Sequence, residues 1–129
     1  MPGKLLLLDE DALLLASLGD VFKFDGYQVT LVKTIKESVV ALQTDRYDVI
    51  IADSLKHLWE PTLPTVRELR LAAPKTPIIL YTAHSQAESL NLAGEGLTAV
   101  WTKPADMDMM LESLRTVLMQ SEGNRPDSG

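Results

Sequence analysis

Leu5-Leu6-Leu7-Leu8-Asp9-Glu10-Asp11 passes without a break from four apolar residues into three acids. A continuous apolar run, as opposed to an alternating one, is the pattern of a strand covered on both faces. Similar runs occur at 49–52 before Asp53, at 78–81 before Thr82, and at 99–101 shortly before Lys103-Pro104. Polar, chemically competent side chains therefore stand at the ends of four separate strands. Residues so distant in sequence meet at one edge only if the strands lie parallel in one sheet, and ligands of such sheets bind outside the carboxyl ends of the strands. A fifth segment, 29–32, alternates weakly and reads as an edge strand.

Helical patterns fill the intervals. Leu14, Leu18, Val21 and Phe22 repeat at i, i+4, i+7 and i+8, and Gly26 follows them. Thr34 and Glu37 spell a capping box ahead of Ile35, Val39 and Leu42. A third helix is expected from near Thr62, with Pro64 in its first turn, to a stop by Pro74. A fourth is expected over 85–93, closed by Gly94-Glu95-Gly96. Asp106 caps the fifth, in which Met107, Met110, Leu111, Leu114 and Val117 recur at helical spacing. Five β-α units with short connections predict an α/β fold. The expectation is a five-stranded parallel sheet with five helices on its two faces, a three-layer α/β/α sandwich.

The chain has 129 residues, 46% of them apolar and 23% charged, which suits one domain with a single core. That domain is expected over 1–120, and the polar stretch SEGNRPDSG at 121–129 is expected to be a disordered tail or linker. A net charge of −6 argues against a nucleic-acid or anionic-membrane surface. With no cysteine there are no disulfides, zinc–thiolate sites or thiol nucleophiles. The acids at 9–11 interrupt the first apolar run, so it is neither a signal-peptide core nor a membrane span. A soluble cytoplasmic domain with protein or small-molecule partners is the expectation.

Carboxylates gathered at one edge repel, and each pair about 4 Å apart costs on the order of 4 kcal/mol at an effective dielectric near 20. Asp9, Glu10 and Asp53 with Lys103 leave a charge that one divalent cation neutralises. Oxygen donors favour Mg2+ or Mn2+ over zinc. Taken singly, each acid is more simply a capping or solvated surface residue; as a set they point to a site. A carboxylate there can act as a nucleophile toward phosphorus, and Asp53, Lys103 and Thr82 supply a nucleophile, an ammonium and a hydroxyl. The small Ala83 beside Thr82 leaves room for the group.

In these pieces the chain resembles the receiver domain of two-component response regulators, from residue 4 to about 118. LLLLDED opens the match, DVIIAD ends at Asp53, PIILYTA carries Thr82, and GLTAVWTKP carries Lys103-Pro104. The resemblance implies a flavodoxin-like strand order 2-1-3-4-5. It implies Asp53 as the phosphoacceptor from a sensor histidine kinase or histidine phosphotransfer protein. The catalytic set would then be Asp53, Thr82 and Lys103. Mg2+ (or Mn2+) would be held by Asp9, Glu10, Asp53 and the backbone carbonyl of Leu55. A cis bond before Pro104 is implied as well. So is a possible homodimer through the expected helix at 85–93, the strand at 99–101 and the last helix. The output would be a switched protein-binding surface, not a released product, with self-phosphorylation and autodephosphorylation as the only chemistry.

Some positions depart from the family pattern. The segment 54–61, SLKHLWEP, stands where the family reads like MPxMDG, and Glu10 stands where Asp is usual. Val100 occupies the position of the switch aromatic, and strand alternation puts Trp101 on the opposite face. Coupling from Thr82 is therefore expected to be absent or rerouted. Leu55 and His84 occupy the two variable positions that tune phosphoryl lifetime; Leu55 cannot orient a water, which implies slow autodephosphorylation. His57, His84 and Trp59 read as loop residues. Met107, Met109 and Met110 read as core or helix rim, with a partner face as the alternative. Leu13, Leu14 and Leu15 are more than core burial needs, and histidine-bearing partners dock at this helix in the family.

The departures support an alternative, a pseudo-receiver used as a phosphorylation-independent docking module. Other classes fit worse. A haloacid dehalogenase-type phosphatase wants a second Asp where Leu55 stands, and a nucleotide site wants a glycine loop where Asp9-Glu10-Asp11 would repel phosphates.

Overall fold

The computed structural model describes residues 3–53, 64–82, 97–103 and 106–123. Each apolar run forms a strand: β1 Lys4–Leu8, β3 Val49–Ala52, β4 Ile78–Thr82 and β5 Ala99–Thr102, with β2 Gln28–Val32 at the edge. All pairings are parallel, in the order β2-β1-β3-β4-β5. The described helices are α1 Ala12–Phe24, α2 Ile35–Thr44, α3 Pro64–Ala72 and α4 Met107–Gly123. The helix expected over 85–93 lies outside the described residues. The backbone of α4 continues to Gly123, past the boundary expected at residue 120.

Alternation along the strands sorts the core into two layers. Leu5, Leu7, Ile51, Ile79, Tyr81 and Trp101 pack with Leu15, Leu18 and Phe22 of α1 and Met110, Leu114 and Val117 of α4. Leu6, Leu8, Ile50, Ala52, Ile78 and Leu80 pack with Val66 and Leu69 of α3, and Ile35, Ala41 and Leu42 of α2 close that side. The sheet is thus covered on both faces, which is why its strands show no polar alternation. Register lines up matching rows. Leu7, Ile51, Ile79 and Ala99 are consecutive partners on the first face, and Leu8, Ala52, Leu80 and Val100 on the second.

Helix ends are fixed by local bonds. The Asp11 side chain accepts the Leu13 and Leu14 N–H groups at 3.0 and 3.2 Å and so starts α1. That helix ends where Tyr27 N–H donates to the Phe22 carbonyl at 3.0 Å across Gly26, whose φ of 101° a side chain would disfavour. Thr34 Oγ1 caps α2 by accepting Glu37 N–H at 3.0 Å. The reciprocal arm differs from the expected box: Glu37 Oε1 accepts Lys33 N–H at 2.8 Å, one residue before the cap. Asp106 accepts Met109 N–H at 3.2 Å at the start of α4. Arg70 closes α3, donating from one guanidinium nitrogen to the carbonyls of Ala73, Pro74 and Thr76 at 3.2, 3.0 and 2.8 Å. Its burial pulls the guanidinium pKa below the usual value.

Candidate functional site

Ladder bonding runs one residue beyond the strands and delivers the acids to a common edge. Asp9 N–H donates to the Val32 carbonyl at 3.2 Å, Asp53 N–H to Leu8 at 2.8 Å, and Lys103 N–H to Thr82 at 2.7 Å. Two residues beyond the row of Leu7, Ile51 and Ile79, Asp9 and Asp53 stand on the same face as Tyr81 and its register partner Trp101.

Lys103 joins them. Its Nζ donates to Asp9 Oδ2 at 2.8 Å and to Asp53 Oδ1 at 3.3 Å. Asp9 is buried, and its other oxygen accepts the Asp11 N–H at 2.9 Å. Burial alone would lower the lysine's pKa, but the Asp9 hydrogen bond and the negative charges of Asp53 and Asp9 outweigh it and hold the ammonium above its ordinary value. Nζ also lies 4.9 Å from the centroid of the Tyr81 ring.

Of the expected site residues, Asp9, Asp53 and Lys103 are in direct contact. Thr82 is wholly buried at the end of β4, tied to Lys103 through its backbone carbonyl. Glu10 is exposed beside them. Leu55, Ala83, His84 and Pro104 lie outside the described residues, as do His57 and Trp59. No group of three or more His, Cys, Asp or Glu converges among the described residues. The donor chemistry nonetheless fits a magnesium ion, which takes one or two carboxylates and completes its shell with water. Lys103 offsets only one of the two carboxylate charges, so the edge stays electronegative.

Around this edge, Val100 is half-buried on the α2/α3 side, whereas Trp101 is buried on the α1/α4 side, as alternation requires. Leu15 is buried, Leu14 half-buried, and Leu13 is 82% exposed at the start of α1. Met110 is buried in the core, and Met107 and Met109 are exposed. Among the described residues no helix is long and apolar enough to cross a membrane.

Three participants were not foreseen from the sequence: Tyr81 against the lysine, Asp11 as the cap that steadies Asp9, and Ser113. Ser113 Oγ on α4 accepts the Trp101 indole N–H at 2.9 Å. Asp11 could have been found as an Asp three residues before Leu14, where the helical repeat begins. The other two depend on register and helix docking.

The model of the response regulator receiver domain matches residues 5–115. The transcriptional regulatory protein GlrR of Escherichia coli K12 is 30% identical over 93% of the chain and 27% of its own length. Response regulator MprA of Mycolicibacterium vanbaalenii is 28% identical over 100% of the chain and 54% of its own length. The chain thus spans from about a quarter to just over half of these relatives. Among solved structures, a CheY-like receiver domain protein from Methanospirillum hungatei superposes with a TM-score of 0.81 at 22% identity, over 97% of the chain and 100% of that protein. NtrX of Brucella abortus gives 0.85 at 16% identity, over 97% of the chain and 29% of that protein.

Proposed function

The chain belongs to the response regulator receiver domain family, and on that premise we propose that Asp53 accepts a phosphoryl group from a phospho-histidine donor and thereby switches a protein-binding surface. The observation that carries the proposal is the Lys103 ammonium set between Asp9 and Asp53 at the carboxyl edge of the sheet. An Asp53 oxygen forms the new bond to phosphorus as the phosphorus–nitrogen bond of the donor breaks. The electron pair stays with the imidazole nitrogen, which keeps a neutral ring by taking up a proton as needed. Lys103 neutralises one phosphoryl oxygen and the Thr82 hydroxyl approaches another. Asp9, Glu10, Asp53 and the Leu55 carbonyl are the groups that would hold magnesium, which would supply the remaining positive charge.

The donor is a sensor histidine kinase or a histidine phosphotransfer protein, and exposed Leu13 offers it an apolar contact beside the site. The phosphoryl group brings roughly −1.5 to −2 charge to the edge. A homodimer through β5, α4 and the segment 85–93 is one form of the output, in the cytoplasm. Leu55, two residues after the acceptor in the sequence, implies a long phosphoryl lifetime; decay within seconds would count against it.

Incubation with acetyl phosphate and magnesium, read by intact mass, tests the proposal. The wild type is expected to gain one phosphoryl group and Asp53→Asn none. A wild type that gains nothing from acetyl phosphate or from phospho-histidine donors would favour the docking module. Val100, aliphatic where the switch aromatic belongs, is the feature that supports that second reading.

A further inference from the structure

Tyr81 directly precedes Thr82 on β4, but alternation turns it to the opposite face, the one shared with Asp9, Asp53 and Lys103. A lysine ammonium has three donors; Asp9 and Asp53 accept from it at 2.8 and 3.3 Å, and the nitrogen lies over the Tyr81 ring, 4.9 Å from its centroid. The face of a tyrosine ring attracts a cation within about 6 Å. An aliphatic residue here would fill the volume and offer the ammonium nothing. Tyr81 also meets Trp101 edge to face, with centroids 6.2 Å apart and planes at 74°. The buried indole in turn donates to Ser113 Oγ on α4 at 2.9 Å.

Resting on the phosphoacceptor reading of Asp53, we infer that Tyr81 is a positioning residue for Lys103 and passes the lysine's displacement through Trp101 to Ser113 on α4. Incoming phosphoryl oxygens compete with Asp9 and Asp53 for the ammonium, so Lys103 shifts as the group arrives. The ring that faces it and the indole packed on that ring are tied to α4 by a directional bond. The path runs on the face opposite Val100 and replaces a coupling that Val100 cannot make.

The test uses a Trp59→Phe background, in which Trp101 is the sole tryptophan, with Tyr81→Phe and Tyr81→Leu compared. Without ligand, NMR of the Lys103 ε-methylene protons shows an upfield ring-current shift in the parent and the Phe variant, lost in Leu. With acetyl phosphate and magnesium, the Phe variant is phosphorylated within about twofold of the parent, and the Leu variant is slower by roughly three- to tenfold. With beryllium fluoride and magnesium, Trp101 fluorescence changes in the parent and in Phe and stays flat in Leu. An unshifted Lys103 signal in a parent that is phosphorylated overturns the inference by itself, and that measurement holds even if the Leu variant does not fold. A Leu variant matching the parent in rate and in Trp101 response also overturns it. If the parent takes no phosphoryl group from any donor, the phosphoacceptor reading falls, and the transmission to α4 falls with it.

Discussion

The two faces of the sheet are packed from different materials. On the α1/α4 side the core contains Phe22, Tyr27, Tyr81 and Trp101, in ring contacts 6.2 to 6.4 Å apart. On the α2/α3 side the buried core among the described residues is aliphatic, with Tyr47 at its margin. Aliphatic side chains are held by volume and contact area, with little penalty for small rotations. Rings prefer edge-on or offset geometries, and Trp101 adds a directional hydrogen bond. The face that carries Lys103 is therefore also the face where a displacement has a defined route into a helix. Thr82 and Val100 belong to the other face, where the β5 position beside Leu80 is aliphatic.

Mutation can break this contrast. The largest effect is expected for Trp101→Ala, which removes a buried indole and should cost about 3–5 kcal/mol in urea unfolding. Val100→Ala, its neighbour on the aliphatic face, should cost about 1–2 kcal/mol. Equal losses for the two would mean that the faces do not differ in the way described. Next comes Arg70→Met at the end of α3, where the aliphatic side keeps its directional bonds. Three carbonyls lose a charged donor, and about 1.5–3 kcal/mol should go with it. A cost near zero would show that water replaces the clamp.

Ser113→Ala should cost less, about 1 kcal/mol, and should alter Trp101 emission by freeing the indole N–H. An unchanged spectrum would show that this bond does not form in solution. The smallest effect concerns pH. Tyr27 is pushed up from 10.0, first by burial and then by the nearby Asp25 carboxylate, with Arg115 pulling the other way. The folded state keeps the phenolic proton more tightly than the unfolded chain does. The resulting stabilisation is complete below pH 10.0 and is lost as pH rises through the raised value. Unfolding midpoints measured from pH 9 to 12 should therefore fall less steeply for Tyr27→Phe than for wild type. Parallel curves would remove Tyr27 from the account.

The layers were legible in the sequence because a two-residue period leaves little freedom: Leu5 to Leu8 alternate between faces whatever the loops do. Asp9, Asp53 and Lys103 were legible for a related reason, since each ends or follows a run that can only be a covered strand. Tyr81 was not. It sits in an apolar run, and its contact with Lys103 requires the β4–β5 register and the lysine's rotamer, neither of which is local. Ser113 depends on how α4 lies across β5, and the Glu37 bond to Lys33 on a choice between adjacent N–H groups that sequence leaves open. Arg70 reads as a solvated helix residue until the turn after α3 folds its carbonyls back toward it.

The Asp9 side chain has a consequence that its isostere exposes. One oxygen accepts from the Asp11 backbone and the other from Lys103. Both neighbours can only donate, so the position demands a group that accepts on either side. An asparagine has the right shape and the wrong parity: in either flip its NH2 faces another donor. The carboxylate is thus required by the hydrogen-bond grammar of the scaffold itself, independently of any ion that it holds.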